Sequence, residues 1–133
     1  MTKERQHTGR TGEEIACDFL KDMGYSIVER NYRSRFGEIY IVAKHWEYLV
    51  FCEVKTRKNR TGLHQSLSVT AKKIEKLRML GEHYPSQKRL MHLQPLFDVI
   101  AVQLAGKTTP EIDHFVNAFL KKGKTYGPSQ IST

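Results

Sequence analysis

The amino-acid sequence predicts a single α/β domain in which a mixed β-sheet is flanked by helices. Two segments have apolar residues at helical spacing, several others have the apolar character of strands, and no repeat or linker divides the 133 residues. A chain of this length fits one hydrophobic core, since single domains commonly span about 100–200 residues. We expect this domain to cover residues 1–120 and a disordered tail to cover residues 121–133.

The predicted elements follow one another as helix, three strands, helix and strand. In the first helix, Thr11 and Glu14 match a capping box and Gly24 is placed to end it. A mixed sheet covered by helices is the economical way to layer this order of elements. The predicted ranges are a helix over 11–24, strands over 25–32, 38–44 and 48–55, a helix over 66–84 that ends before Pro85, a strand over 96–104, and a short strand or turn over 112–119.

The chain carries a strong excess of positive charge. It has 22 Lys and Arg against 14 Asp and Glu, a formal net charge of +8. Such an excess favours an anionic partner through phosphate neutralisation and counterion release, although a merely soluble basic protein would share it. The excess is concentrated in two segments, residues 55–60 and 72–78, so we expect nucleic acid to be the partner.

Other sequence features argue against a membrane or secreted protein. No apolar run approaches the roughly 18 residues of a spanning helix, and the N-terminal residues lack a secretory core. Cys17 and Cys52 are too few and too isolated for a disulfide framework or a zinc site. We therefore expect a cytoplasmic protein with no membrane partner and two buried cysteines.

Two charged residues on the third strand are the strongest candidates for chemistry. Glu53 and Lys55 share one face of the strand, beside the apolar Leu49 and Phe51. A bare Glu-x-Lys pattern is more often a solvated ion pair. Here it ends a continuous apolar strand and precedes a basic loop, and the first helix carries Glu13 on its core-facing stripe. This context favours a functional role.

The preceding strand supplies a second set of candidates. Glu38, Tyr40 and Val42 are predicted to share a face, and a tight hairpin would place Tyr40 beside Glu53 and Glu38 beside Lys55, with a slip of one residue left open. Two carboxylates and one ammonium would then converge near the first helix. Such a cluster suits a hard divalent cation, with the lysine handling a metal-polarised water.

Several motifs stand out along the chain before the tail. They are Gly9-Arg10-x-Gly12-Glu13-x-x-Ala16, Gly24-Tyr25, Glu29-Arg30-Asn31-Tyr32, Phe36-Gly37-Glu38-Ile39, Val50-Phe51-x-Glu53-Val54-Lys55-Thr56-Arg57, Phe97-Asp98-Val99 and Asn117-Ala118-Phe119. In these motifs the sequence resembles the YraN-type family of uncharacterised bacterial proteins. That family is assigned to the restriction-endonuclease-like superfamily, which includes archaeal Holliday-junction resolvases. The resemblance implies that fold and phosphodiester cleavage dependent on Mg²⁺ or Mn²⁺.

The resemblance also implies roles for individual residues. Glu13 matches the first-helix glutamate, Glu53 the metal-binding glutamate and Lys55 the catalytic lysine of the superfamily. Tyr40 departs from the pattern, because it stands where the family has the aspartate that is the central metal ligand. A phenol, with a pKa near 10, is a poor ligand for a hard cation at neutral pH.

Two interpretations of this departure compete. Glu38 could hold the metal with Glu53 in place of the aspartate, leaving an active nuclease for structured or branched DNA. Alternatively hydrolysis is lost or strongly attenuated, and the scaffold binds nucleic acid, with DNA as the first expectation. We favour the second. Tyr40 would then pack against Phe51 or stack on a base, and packing is the simpler expectation.

The remaining candidates are single residues. Arg57, Lys58, Arg60, Lys72 and Lys73 fit phosphate contacts, although a solvated charged face would look the same. A structural role is favoured for Asp98, and surface or packing roles for His45, His64, His83, His92 and His114. Trp46 at the hairpin tip is expected to cover the edge of the core. A protein-interaction scaffold and a homodimer are further alternatives that the sequence leaves open.

Overall fold

The computed structural model describes residues 11–57, 71–104 and 109–118. Within these ranges it contains two helices and five strands. In chain order they are α1 (Gly12–Asp22), β1 (Ser26–Ser34), β2 (Gly37–His45), β3 (Tyr48–Arg57), α2 (Ala71–Lys88), β4 (Gln94–Gln103) and β5 (Glu111–Phe115). The predicted α/β class and order of elements are confirmed, and the last apolar segment is a strand. The predicted tail lies outside the described residues.

The five strands form one mixed sheet in the order β1-β2-β3-β4-β5. Strands β3 and β4 run parallel, and every other neighbouring pair is antiparallel. Helix α2 lies in the connection between β3 and β4, as parallel neighbours require a crossover. This architecture is consistent with a restriction-endonuclease-like core. None of the helices in the described ranges is long and apolar enough to span a membrane.

Helix α1 begins and ends as its sequence predicts. The Thr11 hydroxyl accepts a hydrogen bond from the Glu14 backbone N–H, and the Glu14 carboxylate accepts one from the Thr11 N–H, both at 3.1 Å. These two bonds satisfy groups that a helix start otherwise leaves without partners. Gly24, with φ of +95°, turns the chain after the helix into β1.

The two helices cover opposite faces of the sheet. Alternation along β3 sends Leu49 and Phe51 into the cluster packed under α2, and Val50 and Cys52 into the cluster packed under α1. Because both faces of β3 are covered, its sequence is continuously apolar from Leu49 until Glu53. Glu53 continues the α2-facing series.

Helix α2 extends further than its sequence predicts. The prediction ended it before Pro85, yet it continues to Lys88 with Pro85 inside it. A proline lacks the N–H that would bond to the carbonyl four residues earlier. The buried Tyr84 offsets this loss, because its hydroxyl donates a 2.6 Å hydrogen bond to Glu29. Residues 66–70 of the predicted helix lie outside the described part of the chain.

The β2–β3 turn corrects the expectation for Trp46. His45 pairs with Tyr48, so the turn contains only Trp46 and Glu47, with Trp46 at φ of +59°. A residue at the tip of so short a turn lies beyond the last cross-strand pair and projects away from the core. Trp46 is accordingly 78 % exposed and does not cover the core edge.

The start of α1 lies unusually close to the end of β3. A Cβ added at Gly12 would lie 1.8 Å from Oγ1 and 2.9 Å from Cβ of Thr56. No side chain fits this space without movement. Gly12 therefore sets how closely the first turn of α1 approaches the strand that carries Glu53 and Lys55.

We expect Gly12→Ala to lower the free energy of unfolding by about 1–3 kcal/mol through overpacking. Urea denaturation measures this change. Thr56→Ala removes Oγ1 and Cγ2, which would lie 1.8 Å and 3.0 Å from the added Cβ. The double variant should therefore recover part of the loss and show a non-additive cycle. A Gly12→Ala protein with the wild-type midpoint would show that the contact is looser than described.

Candidate functional site

The carboxylate of Glu53 lies between two lysine ammonium groups. Glu53 is 8 % exposed near the end of β3. Its Oε2 lies 3.6 Å from Nζ of Lys55, and its Oε1 lies 3.3 Å from Nζ of Lys73. Both oxygens therefore face a positive charge, and the three charged groups together carry a net charge of +1.

Each of these side chains is placed by its element. Glu53 and Lys55 share the α2-facing side of β3, as the two-residue period predicts. Lys73 lies four residues before Leu77 and seven before Leu80, both buried in α2. Helical spacing thus directs Lys73 toward the sheet at the polar end of an apolar stripe. The sequence contained this signal, although it was interpreted only as a phosphate contact.

The β2–β3 hairpin has the predicted register. Its pairs run from His45 with Tyr48 to Ile41 with Cys52. Continuing that register by one residue would place Tyr40 opposite Glu53, as the sequence predicts. The described pairs nevertheless stop before this position.

The alternation of side chains between the two faces of the sheet is interrupted in β2 at Tyr40, which corrects the predicted alternation. Ile39 and Val42, three residues apart, both join the cluster under α2. The strict alternation that would have put Glu38, Tyr40 and Val42 on one face is therefore broken. Tyr40 is 38 % exposed instead of packed on Phe51, whose ring neighbours are other aromatic residues.

The neighbouring strand is irregular at the same level. Asn31 in β1 has φ of +55°, a left-handed conformation that interrupts an extended strand. Glu29 bonds to Tyr84, and Tyr32 packs its ring on Tyr84 at 4.8 Å, so these two β1 residues also face the same helix although three positions separate them. The irregularity thus crosses both strands at the level of Tyr40.

The other two predicted carboxylates are Glu38, which contacts an arginine, and Glu13, which lies on the other helix. Glu38 Oε1 lies 3.6 Å from Nε of Arg33, with both side chains largely exposed. Pairs of this kind contribute about 0–1 kcal/mol. Glu13 is half-buried on α1, on the opposite face of the sheet from Glu53. In the described residues no hydrogen bond or ion pair joins Glu13, Glu38 and Glu53.

This donor set does not fit a divalent cation as it is arranged. Mg²⁺ needs several oxygen ligands in near-octahedral geometry, whereas both oxygens of Glu53 face ammonium groups. In the described ranges no group of three or more His, Cys, Asp or Glu residues is placed to hold a metal. The metal roles assigned to Glu53 and Glu38 stay predictions.

The predicted phosphate-contacting residues are only partly described. Arg57 is half-buried at the end of β3, where its guanidinium donates a 3.0 Å hydrogen bond to the Thr56 carbonyl. Lys72 is exposed on α2, next to the inward-facing Lys73. Lys58 and Arg60 lie outside the described residues.

An open cleft of about 370 Å³ lies beside the charged cluster formed by Glu53, Lys55 and Lys73. Lys73 belongs to both, since it lines the cleft and contacts Glu53. The sequence prediction missed most of the cleft, because its members come from three elements that approach only in the folded chain. The lining residues are Arg33, Ser34, Gly37, Glu38, Lys73 and Lys76.

Asp98 has the structural role that its sequence position favours. Its Oδ2 lies 2.7 Å from Nε2 of the buried His114, and its Oδ1 accepts a 2.8 Å hydrogen bond from the Asn117 N–H. Ala118 N–H also donates to the Phe97 carbonyl at 2.7 Å. These bonds join β4 to β5 and to the two residues Asn117 and Ala118 that follow it.

His45, His83 and the two cysteines also have packing roles. His45 stacks on Tyr25 at 4.0 Å, and His83 stacks on Phe36 at 4.1 Å. His64 lies outside the described residues. Cys17 and Cys52 are buried as expected, and burial raises the pKa of both thiols, so neither is a reactive thiolate at neutral pH.

Comparisons with known proteins support the resemblance given by the motifs. The model of the uncharacterised protein family UPF0102 matches residues 12–102. A UPF0102 protein of Syntrophotalea carbinolica is 41 % identical over 119 residues, covering 90 % of this chain and 96 % of that protein. A UPF0102 protein of Trichlorobacter lovleyi is 44 % identical over 119 residues, covering 88 % and 93 %.

The matched region includes both helices, the β1–β3 hairpins and most of β4, and therefore every described residue of the charged cluster and the cleft. The agreement extends over nearly the full length of the relatives. The chain belongs to the uncharacterised protein family UPF0102, the YraN-type family.

Proposed function

We propose that this protein binds nucleic acid, with DNA as the expected partner, through the charged edge of a nuclease-like sheet, and that hydrolysis is lost or strongly attenuated. The observation that carries the proposal is the position of Glu53 between Lys55 and Lys73. A carboxylate with one lysine would be electrically balanced. A carboxylate with two lysines gives these three groups a net charge of +1.

The charge of this site favours a phosphate over a metal ion. Attraction between unit charges a few ångströms apart is several times stronger at a partly buried position than in water. A divalent cation would have to displace both ammonium groups from Glu53, and it would gain a single carboxylate. A phosphate group would instead be attracted by both ammonium groups.

The remaining metal positions support the same conclusion. The family resemblance places the central aspartate ligand at position 40, where this chain has an exposed tyrosine. The alternative ligand, Glu38, contacts Arg33 instead. An active Mg²⁺- or Mn²⁺-dependent nuclease would require both Glu38 and Glu53 to leave their present partners.

The whole-chain charge supports association with a polyanion. The formal net charge of +8 is sufficient to attract nucleic acid over a distance set by the ionic strength. Lys55, Arg57, Lys72 and Lys73 lie at the end of β3 or in the first described turn of α2. A homodimer that addresses two strands remains a prediction, which light scattering with and without DNA would test.

We expect binding to weaken steeply with salt. If about four phosphates are neutralised, affinity should fall on the order of 100-fold between roughly 50 and 200 mM monovalent salt. Fluorescence anisotropy with labelled duplex, single-stranded and four-way-junction DNA measures this. Salt-independent affinity, or no binding to any nucleic acid at low salt, would contradict the proposal.

Substitutions at the charged cluster should change binding in opposite directions. Lys55→Met removes an ammonium group and should weaken binding by about fivefold, whereas Glu53→Gln removes the opposing charge and should strengthen it. Lys21→Met on the exposed side of α1 is the matched control. Weaker binding of Glu53→Gln would argue against an anion site.

Cleavage should be absent or very slow in the wild-type protein. With Mg²⁺ or Mn²⁺ we expect no product from duplex, flap or junction DNA beyond that of a Glu53→Ala protein. Tyr40→Asp, compared with Tyr40→Asn, should not restore Mn²⁺ binding, because position 40 is exposed where β2 changes its facing and both oxygens of Glu53 face ammonium groups. Wild-type cleavage that Glu53→Ala abolishes would establish the active-nuclease alternative.

A further inference from the structure

We propose that the cleft between the β1–β2 turn and α2 binds a phosphate of the nucleic-acid backbone adjacent to the one at Glu53. This inference rests on the proposed function and extends it, because it assigns the path of the bound nucleic-acid strand. That nucleic-acid strand would run from the charged cluster of Glu53, Lys55 and Lys73 into the cleft.

The cleft has the size and charge that such a subsite requires. Its volume of about 370 Å³ falls within the roughly 300–1,000 Å³ of small-ligand sites. Among the described lining residues, Arg33, Lys73 and Lys76 are cationic and Glu38 is the one carboxylate. Lys73 also contacts Glu53, so the cations still outnumber the carboxylates when that residue is included.

Arg33 is suited to receive a phosphate. Its guanidinium is 3.6 Å from Glu38 in a pair that is open to solvent, with side-chain exposures of 79 % and 57 %. Such a pair is weak and easily exchanged for another anion. A guanidinium can then hold two phosphate oxygens at once, a geometry in which arginine exceeds lysine.

The walls of the cleft are held by packing and hydrogen bonds. Gly37, with φ of +134°, leaves the space of its missing Cβ 3.6 Å from Cβ and 3.7 Å from Cδ of Lys76, so the aliphatic stem of Lys76 lies against the turn. The Ser34 hydroxyl accepts a 3.1 Å hydrogen bond from the Phe36 N–H. Phe36 in turn stacks on His83 of α2. A preformed cleft loses little conformational entropy on binding.

Lys73 makes the cleft and the Glu53 cluster one continuous surface. Its ammonium is 3.3 Å from Glu53 while its side chain lines the cleft. A phosphate in the cleft and a phosphate at Lys55 would therefore lie on either side of the same cation. Consecutive phosphates of one strand can meet this arrangement without any contact to a base, so binding here carries little sequence preference.

The test compares Lys76→Met, which keeps the stem against Gly37 and removes the charge, with Lys21→Met on the other face of the sheet. Anisotropy with a labelled single-stranded oligonucleotide should show about fivefold weaker binding and a salt slope shallower by about one for Lys76→Met. Glu38→Gln should bind more tightly, since it removes the one carboxylate among the described residues that line the cleft. Equal thermal melting of the variants controls for folding.

Two results separate this inference from the proposed function. If Lys55→Met weakens binding while Lys76→Met matches Lys21→Met, the cleft subsite is wrong and the proposed function stands. If no nucleic acid binds, titration with tripolyphosphate tests whether the cleft binds an anion by itself. Changes in the amide NMR chemical shifts of Ser34 and Gly37 that are lost in Lys76→Met would support an anion site. Unchanged chemical shifts would overturn it.

Discussion

Strand β3 is buried on both of its faces, and this burial determines where a charged residue can lie. Helix α1 packs against one face and helix α2 against the other, and β2 and β4 pair with its two edges. A charged residue on such a strand must be compensated, because an isolated buried charge is costly. Glu53 is the residue at which the apolar run ends, and it is compensated by one lysine from its own strand and one from α2.

The features that could be predicted from the sequence are those that depend on local periodicity. The shared face of Glu53 and Lys55 follows from the two-residue period of a strand, and the start of α1 follows from Thr11 and Glu14. The hairpin register followed from its short turn. In each case a few neighbouring residues contain the whole signal, so no tertiary contact is needed to interpret it.

The features that could not be predicted arise from contacts between distant segments. The reversal of facing at Tyr40 accompanies a left-handed Asn31 in the adjacent strand, and nothing in the β2 sequence alone reveals it. Helix α2 continues through Pro85, and the adjacent Tyr84 bonds to Glu29, which lies 55 residues away. The cleft likewise requires β1, β2 and α2 to meet, so its members had no common sequence pattern.

The parallel pairing of β3 with β4 also affects the order of folding. Two-residue turns join β1 to β2 and β2 to β3, whereas the 36 residues from 58 to 93 separate β3 from β4. Short loops close at lower entropic cost, so the three-stranded antiparallel unit can form first and β4 can add only after the crossover has closed. Glu53 and Lys55 belong to the early unit and Lys73 to the late one. The charged cluster is therefore complete only when the final part of the sheet is in place.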